Sequence, residues 1–108
     1  MSTTSSYIVV LVTAKDRQEA QGIAEALVQE KLIACANVLP GVESLFRWEG
    51  KVDLSQEVLL ILKTKRSLFN KLVKRVKTLH SYKNPEIIAL PIIAGNKDYL
   101  DWIKESTC

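Results

Sequence analysis

The chain has 108 residues, of which 47% are hydrophobic and 25% charged, and a formal net charge of +3. This length suits one domain with its own core, and the composition excludes a disordered or fibrous protein. The charge is too small to indicate nucleic acid binding. No segment reaches the roughly 20 apolar residues that span a bilayer. The polar start also lacks a basic secretory signal. We therefore expect a cytoplasmic protein with no membrane contact.

The two cysteines are expected to be free thiols. Cys35 lies among apolar residues of a predicted strand, and Cys108 is the last residue. Such positions make a poor disulfide pair, and free thiols fit a reducing compartment. We further expect a flexible tail over residues 1–6 and a single domain over residues 7–108.

The chain begins with an apolar strand and an amphipathic helix. YIVVLVT over 7–13 is rich in β-branched residues and apolar on both faces, which predicts a central strand. Asp16 is a good N-cap, and Glu19 completes a capping-box pattern. Apolar residues then recur at helical spacing, which predicts a helix from about 17 to 31.

Two strands joined by a tight turn follow this helix. IACANVL over 33–39 predicts a second strand that Pro40-Gly41 stops, with extended chain beyond it. Glu49-Gly50 indicates a hairpin turn, because glycine adopts the positive φ that such a turn demands. A third strand strengthens over 57–63, where EVLLILK is again apolar on both faces.

The second half repeats the order of the first. Ser67 is predicted to cap a second helix, whose apolar stripe runs from Phe69 to Leu79. The basic residues of this helix are interpreted as a solvated face, because no aromatic residues alternate with them. EIIALPII over 86–93 predicts a fourth strand, in which Pro91 indicates an edge or a bulge. Asn96 is predicted to cap a last short helix.

The order of elements predicts an α+β fold. Two successive βαβ halves with right-handed crossovers form a ferredoxin-like double βαβ sandwich: a four-stranded antiparallel sheet with both helices on one face. An extended hairpin and a C-terminal helix are added to it. Because the strands are apolar on both faces, the face without helices needs a cover. We expect it to be covered by oligomerisation, through this face and the hairpin at 48–51.

The residues that carry chemistry are few. There is one histidine, His80, with no predicted nucleophile–base arrangement, no glycine-rich phosphate loop and no close carboxylate pair, which favours a binding protein over an enzyme. One histidine and two cysteines cannot form a closed tetrahedral zinc site in one chain. His80 is more typical of a helix-end residue, and Cys35 of a small buried hydrophobe. Tyr82 either borders a pocket or packs against the core as part of a loop.

Several segments resemble the divalent-cation tolerance proteins, CutA. They are KLIACANVLPGVESLFRWEGKVD over 31–53, EVLLILKT over 57–64, PEIIALPI over 85–92 and YLDWI over 99–103. The resemblance implies a ferredoxin-like subunit in a homotrimer, in which strands of neighbouring subunits pair. It also implies a role in tolerance of divalent metals, copper especially, and structural similarity to trimeric PII-type signalling proteins.

The resemblance extends to individual residues of the family motifs. The matched positions are Cys35 and Asn37, Trp48, Gly50 and Lys51, Glu57 and Lys63, and His80 and Tyr82. The family's proline between the last two is Ser81 here. Of the implied copper ligands, the first-strand cysteine corresponds to Val12 and a second histidine to Leu79. Only His80 of that set is present, so the resemblance implies at most a weak Cu²⁺ site and no required cofactor.

Three functions remain open from the sequence. The first is a metal-responsive binding protein, with His80 as the first candidate ligand and Cys35 as the second. The second is a PII-like sensor that binds a small anionic ligand in a cleft between subunits. Its candidate lining residues are Trp48, Lys63, His80, Tyr82 and Glu86. The third is a structural trimer that scaffolds another protein.

Overall fold

A computed structural model of the chain describes residues 6–108. Residues 1–5 of the predicted tail lie outside the described residues. Ser6, the last residue of that tail, accepts a hydrogen bond through its carbonyl from the backbone N–H of Arg66 at 2.8 Å.

Strands and helices follow the predicted order. They are β1 (Tyr7–Ala14), α1 (Arg17–Gln29), β2 (Cys35–Trp48), β3 (Lys51–Lys65), α2 (Phe69–Leu79), β4 (Ile87–Pro91) and α3 (Lys97–Glu105), with a 3₁₀ turn over Arg66–Leu68 before α2. The strand order in the sheet is β2-β3-β1-β4, and all three neighbouring pairs are antiparallel. This arrangement confirms the predicted four-stranded antiparallel α+β fold.

The core lies between one face of the sheet and the first two helices. Alternate residues of a strand point to the same face, and the buried residues of β1 and β3 keep this period of two. α1 and α2 bury their apolar stripes in the same cluster, so both helices cover one face. The residues that are 0% exposed include Val10, Val12, Leu60, Leu62, Leu27, Leu72 and Val76.

The opposite face of the sheet is only partly covered. α3 contacts β3, and its Ile103 is fully buried. The chain after α3 is held to the loop after α1 by a hydrogen bond from the Cys108 N–H to the Lys31 carbonyl at 3.0 Å. Elsewhere on this face, and along the β2–β3 hairpin, large apolar side chains remain exposed in the single chain. They are Leu39, Ile88, Leu90, Leu45, Phe46, Trp48, Val52 and Leu54.

Two predicted boundaries on the first βαβ half were wrong. α1 ends at Gln29, because Lys31 adopts a left-handed φ of 60° and closes the helix. The N–H groups of Lys31 and Leu32 donate to the carbonyls of Val28 and Leu27, which is the Schellman pattern. The second strand starts at Cys35 as a consequence.

Pro40-Gly41 does not stop the second strand. The two residues together oppose only Val58, because Leu39 pairs with Leu59 and Val42 pairs with Glu57. They form a β-bulge, in which Gly41 supplies a φ of 81°. Pro40 lies on an edge strand, where its missing N–H costs no sheet hydrogen bond. β2 therefore continues to Trp48 as part of a long hairpin.

In the second βαβ half, the structure differs from the prediction at the start of the helix and in the length of the last strand. Ser67 does not cap α2, because it lies inside the 3₁₀ turn that precedes the helix and buries Leu68. α2 begins at Phe69 with no side-chain cap. β4 is shorter than predicted and ends at Pro91. Asp16 and Asn96 do cap α1 and α3, by accepting from the N–H groups of Glu19 at 2.8 Å and Asp98 at 3.0 Å.

Candidate functional site

His80 lies at the C-terminal end of α2, with its side chain fully buried against the end of β1 and the start of α1. Its backbone N–H donates to the Val76 carbonyl. Its ring Nε2 is 2.7 Å from the carbonyl oxygen of Thr13. Its Nδ1 is 3.0 Å from the backbone nitrogen of Tyr82 and 3.2 Å from Oε1 of Glu19. Both ring nitrogens therefore have partners within the chain.

These partners assign the protons on the ring. A carbonyl oxygen only accepts hydrogen bonds, so Nε2–H donates to Thr13. The Tyr82 N–H donates to Nδ1, which selects the Nε2–H tautomer of the neutral ring. The lone pair of Nδ1 therefore points toward Tyr82 N–H and the carboxylate of Glu19. This nitrogen is the one that a metal cation would reach.

Tyr82 connects His80 to β3. Its hydroxyl donates to Oε2 of Glu57 at 2.8 Å, and its ring lies 4.8 Å from the His80 ring at an angle of 45°. Burial and the hydrogen bond to Glu57 raise the pKa of Tyr82 to about 12. Glu57 itself is buried and pairs with Val42, the first residue of β2 after the bulge. Glu19, His80, Tyr82 and Glu57 thus form one connected group, which we call the His80 cluster.

Sequence reasoning missed Glu19 and Glu57 as members of this cluster. Glu19 was assigned to a capping box, but its carboxylate reaches Lys15 at 3.9 Å, His80 at 3.2 Å and the Ser81 N–H at 3.4 Å. The two carboxylates are 38 positions apart in the chain, so their spacing carries no local signal. Two signals pointed to Glu57: its charge in an otherwise apolar strand, and its match to a family motif position.

Cys35 and Lys63 form a separate pair further along β3. They oppose one another across β2 and β3, with the Lys63 ammonium 3.8 Å from the Cys35 sulfur and in contact with the side-chain oxygen of Asn37. Burial raises the pKa of Tyr99 on α3, whose hydroxyl is also beside Cys35. Lys63 is six residues from Glu57, or about 20 Å along the strand. Cys35 and His80 therefore do not share a site within one chain.

The residues predicted to line a cleft are also far apart within one chain. Tyr82 lies beside His80, and Glu86 directly precedes Ile87, which pairs with Val12 at the same end of the sheet. Trp48 is at the tip of the hairpin, opposite Lys51, and is 62% exposed. Trp48 and Lys63 are thus at opposite ends of β3. These residues could line one cleft only if a second subunit supplied some of them. The cleft between subunits therefore stays a prediction.

Both cysteines of the chain are free thiols, as predicted. Among residues 6–108, no three histidine, cysteine or acidic side chains are grouped closely enough to form a metal cage. No helix in that range has the length and apolar character to cross a membrane.

The sequence as a whole matches a known family. The model of the CutA1 divalent ion tolerance protein matches residues 8–106. This chain belongs to the CutA1 family. The Divalent-cation tolerance protein CutA of Thermus thermophilus is 52% identical over 99 residues, which are 92% of this chain and 96% of that protein.

Solved structures of CutA1 proteins share the fold. The crystal structure of CutA1 from Oryza sativa is 48% identical and superposes with a TM-score of 0.94, covering 99% of this chain and 98% of that one. The CutA protein of Arabidopsis thaliana, named chloroplastic, is 49% identical over 106 residues, but these are only 58% of its length. A CutA structure from Archaeoglobus fulgidus is described as periplasmic. Members of the family are thus named for different compartments.

Proposed function

We propose that this CutA1 family member takes part in divalent-cation tolerance by binding the metal ion, with no catalytic step, as a cytoplasmic homotrimer. The observation that carries the proposal is the buried pair of His80 and Glu19. An imidazole nitrogen and a carboxylate oxygen are ligands that Cu²⁺ and other divalent transition metals accept.

The geometry of this pair suits a shared metal ion. Protein ligands lie about 2.0–2.2 Å from such an ion, so two neighbouring ligands at right angles are roughly 3 Å apart. Nδ1 of His80 and Oε1 of Glu19 are 3.2 Å apart. Nε2 of His80 meanwhile donates to the Thr13 carbonyl. A second hydrogen bond of this kind orients a metal-ligating histidine and makes it a better donor.

The affinity is expected to be low. Two protein ligands leave the remaining positions to water or to a neighbouring subunit, and the ion must displace the Tyr82 N–H from Nδ1. Among divalent first-row metals, Cu²⁺ is bound most tightly by a given set of nitrogen and oxygen ligands. We therefore expect Cu²⁺ to bind more tightly than Zn²⁺ or Ni²⁺.

Calorimetric titration of the full chain with Cu²⁺ tests the metal site. Glu19→Gln is expected to weaken binding at least tenfold, and His80→Ala to abolish it. Glu25→Gln is the matched control, because Glu25 is an exposed carboxylate on the same helix. Cys35→Ser is expected to bind like wild type. Equal isotherms for wild type, Glu19→Gln and His80→Ala would contradict the assignment.

The homotrimer is supported by the exposed apolar surface. The hairpin carries Leu45 and Val52, each 70% exposed, and the sheet has two edge strands, β2 and β4. Exposed apolar patches and unpaired strand edges are the features that subunit association covers. Analytical ultracentrifugation of dilute protein is expected to give the mass of three chains. A monomer mass would contradict the trimer.

A further inference from the structure

The outer side of α2 carries a row of lysines. Lys71, Lys74 and Lys77 are all exposed and follow one another at intervals of three residues. At 3.6 residues per turn, their side chains lie within an arc of about 120° and extend over about 9 Å of the helix. We call these three residues the α2 lysine stripe.

The stripe belongs to a segment whose charged residues are all basic. Residues 58–85 contain eight lysines and arginines and no aspartate or glutamate. The rest of the chain has the other seven basic residues and all twelve acidic ones, so its formal charge is −5 against +8 for the segment. The small net charge of +3 is therefore the sum of two regions of opposite sign.

The three lysines have no carboxylate partner within the described chain. None of the ion pairs among residues 6–108 includes a residue of the stripe. Arg75, the other cation of α2, is instead fixed to Glu30 of α1 by three hydrogen bonds of 2.8 to 3.1 Å. Like charges three residues apart on a helix repel one another, and no acidic residue lies in the first turn of α2. An anionic partner would relieve this repulsion.

The surroundings of the stripe determine the width of that partner. α1 and α2 cover one face of the sheet, whereas subunits are proposed to cover the other, so the outer side of α2 is free of that interface. The neighbouring helix α1 is not basic in the same way, because Glu25 is exposed on it and Glu30 faces Arg75. The cationic surface is thus about one helix wide, or roughly 10 Å.

We propose that the α2 lysine stripe binds an acidic segment of a partner protein. Such a segment is one chain wide and can lie along α2 alone, whereas a membrane or a nucleic acid duplex would also bring its charges against the carboxylates of α1. In an extended segment, carboxylates at alternate positions point the same way about 6.6 Å apart, which long lysine side chains can follow. Asn70 is exposed one turn before Lys74, and its amide can hydrogen-bond the backbone of the segment.

This surface is separate from the His80 cluster. The side chain of His80 is buried at the C-terminal end of α2, while the stripe faces solvent on the outer side of the helix. The inference therefore does not rest on metal binding, and Glu19→Gln should leave binding at the stripe unchanged.

Fluorescence anisotropy of a labelled hexaglutamate peptide with the full chain, in metal-free buffer, tests the proposal. Saturable binding is expected at low salt, and its affinity should fall at least tenfold from about 20 mM to about 200 mM salt, because exposed charges are screened. Lys71→Gln, Lys74→Gln and Lys77→Gln should each weaken binding roughly threefold, as expected for one exposed ion pair, and the triple variant more than tenfold. Glutamine is a good helix former, so these variants should fold, which circular dichroism verifies.

A second triple variant, Arg17→Gln with Lys31→Gln and Lys97→Gln, is the matched control. It removes the same charge from exposed positions outside α2 and should bind like wild type within about twofold. An equal loss in the two triple variants would overturn the proposal, because the attraction would then be diffuse. So would the absence of saturable binding at low salt.

Vesicles of equal parts phosphatidylserine and phosphatidylcholine, and a DNA duplex, are measured in parallel. The proposal expects the loss in the α2 triple variant to be larger for hexaglutamate than for either of these probes. An equal or larger loss for the vesicles or the duplex would overturn the acidic segment as the partner.

Discussion

Glu19 and Glu57 are carboxylates placed where water is largely excluded. A buried charge is costly unless hydrogen bonds or an opposite charge compensate for the lost water. Here Glu57 accepts from the Tyr82 hydroxyl, while Glu19 is near the Ser81 N–H and the Lys15 ammonium. These partners come from different parts of the chain, so each carboxylate ties loops and elements together as well as forming the site.

Alkaline pH is expected to weaken the fold through Tyr82. Its pKa is raised to about 12 by burial and by the hydrogen bond to Glu57, from an ordinary value of about 10. A raised pKa in the folded state means that the neutral phenol stabilises the fold below pH 10. That contribution is lost as the pH rises from 10 through 12.

Tyr82→Phe therefore should make the free energy of unfolding less dependent on pH between 10 and 12, measured by urea denaturation at several pH values. Tyr7→Phe serves as the control for the general effect of removing a phenol. Identical pH profiles for wild type and Tyr82→Phe would show that the Tyr82–Glu57 bond does not contribute in this way.

The helix ends and the hairpin turn depend on chemistry within a few residues. Asp16 and Asn96 cap their helices as their sequence positions predict. Glu49 and Gly50 form the hairpin turn with φ values of 49° and 78°. Positive φ at both central residues gives the turn a backbone twist that matches the twist of the two strands it connects. α2 is the exception, because its start is set by the 3₁₀ turn and the burial of Leu68, and not by a capping side chain.

Removal of the α1 cap is expected to destabilise the protein measurably. Asp16→Ala should lower the free energy of unfolding by about 1 kcal/mol, because the Glu19 N–H loses its acceptor. Asp16→Asn retains an acceptor and should be close to wild type. Ser67→Ala should have almost no effect, since the Ser67 side chain does not cap α2. A larger loss for Ser67→Ala than for Asp16→Ala, by chemical denaturation, would refute this account.

Substitutions at the two turn residues are expected to act in opposite directions. Gly50→Ala places a side chain at positive φ and should destabilise the hairpin by roughly 1–2 kcal/mol. Glu49→Asn should stabilise it slightly, because asparagine adopts the left-handed region more readily than glutamate. Thermal denaturation of both variants measures the signs, and the same sign for both would argue against the turn geometry.

The shape of the molecule is governed by its long hairpin. The residues of 6–108 extend over 44 × 31 × 23 Å, although the core between sheet and helices is compact. Residues that alternate along the hairpin point to opposite sides, so Leu45 and Leu54 lie on one side and Phe46 and Trp48 on the other. A hairpin that exposes apolar side chains on both sides has no core of its own within one chain.

Association should therefore contribute to stability. If subunits cover the hairpin and the open sheet face, the midpoint of thermal unfolding should rise as protein concentration rises over a hundredfold range. Leu45→Ser with Val52→Ser should lower both the midpoint and its dependence on concentration. A midpoint that is independent of concentration in reversible unfolding would count against association.

Much of the fold was predictable because its signals are local. The apolar strand segments at 7–13 and 57–63, the cap at Asp16 and the turn at Glu49-Gly50 each indicate their conformation within one segment. Together with the order of elements they predicted the α+β sheet. The ends of elements were less predictable. The bulge at Pro40-Gly41 depends on the pairing of β2 with β3, which the sequence of β2 alone does not contain. The end of α1 depends on the left-handed conformation of Lys31, which lysine does not favour.

The site was predictable only in part. His80 and Tyr82 were found as a neighbouring polar and aromatic pair, because they are two residues apart. Glu19 and Glu57 joined them only when the sheet brought the end of β1, the start of α1 and the middle of β3 to one place. Local propensity depends on neighbours in the chain, whereas a site depends on distances between segments, and those distances exist only after the sheet has paired and the helices have packed.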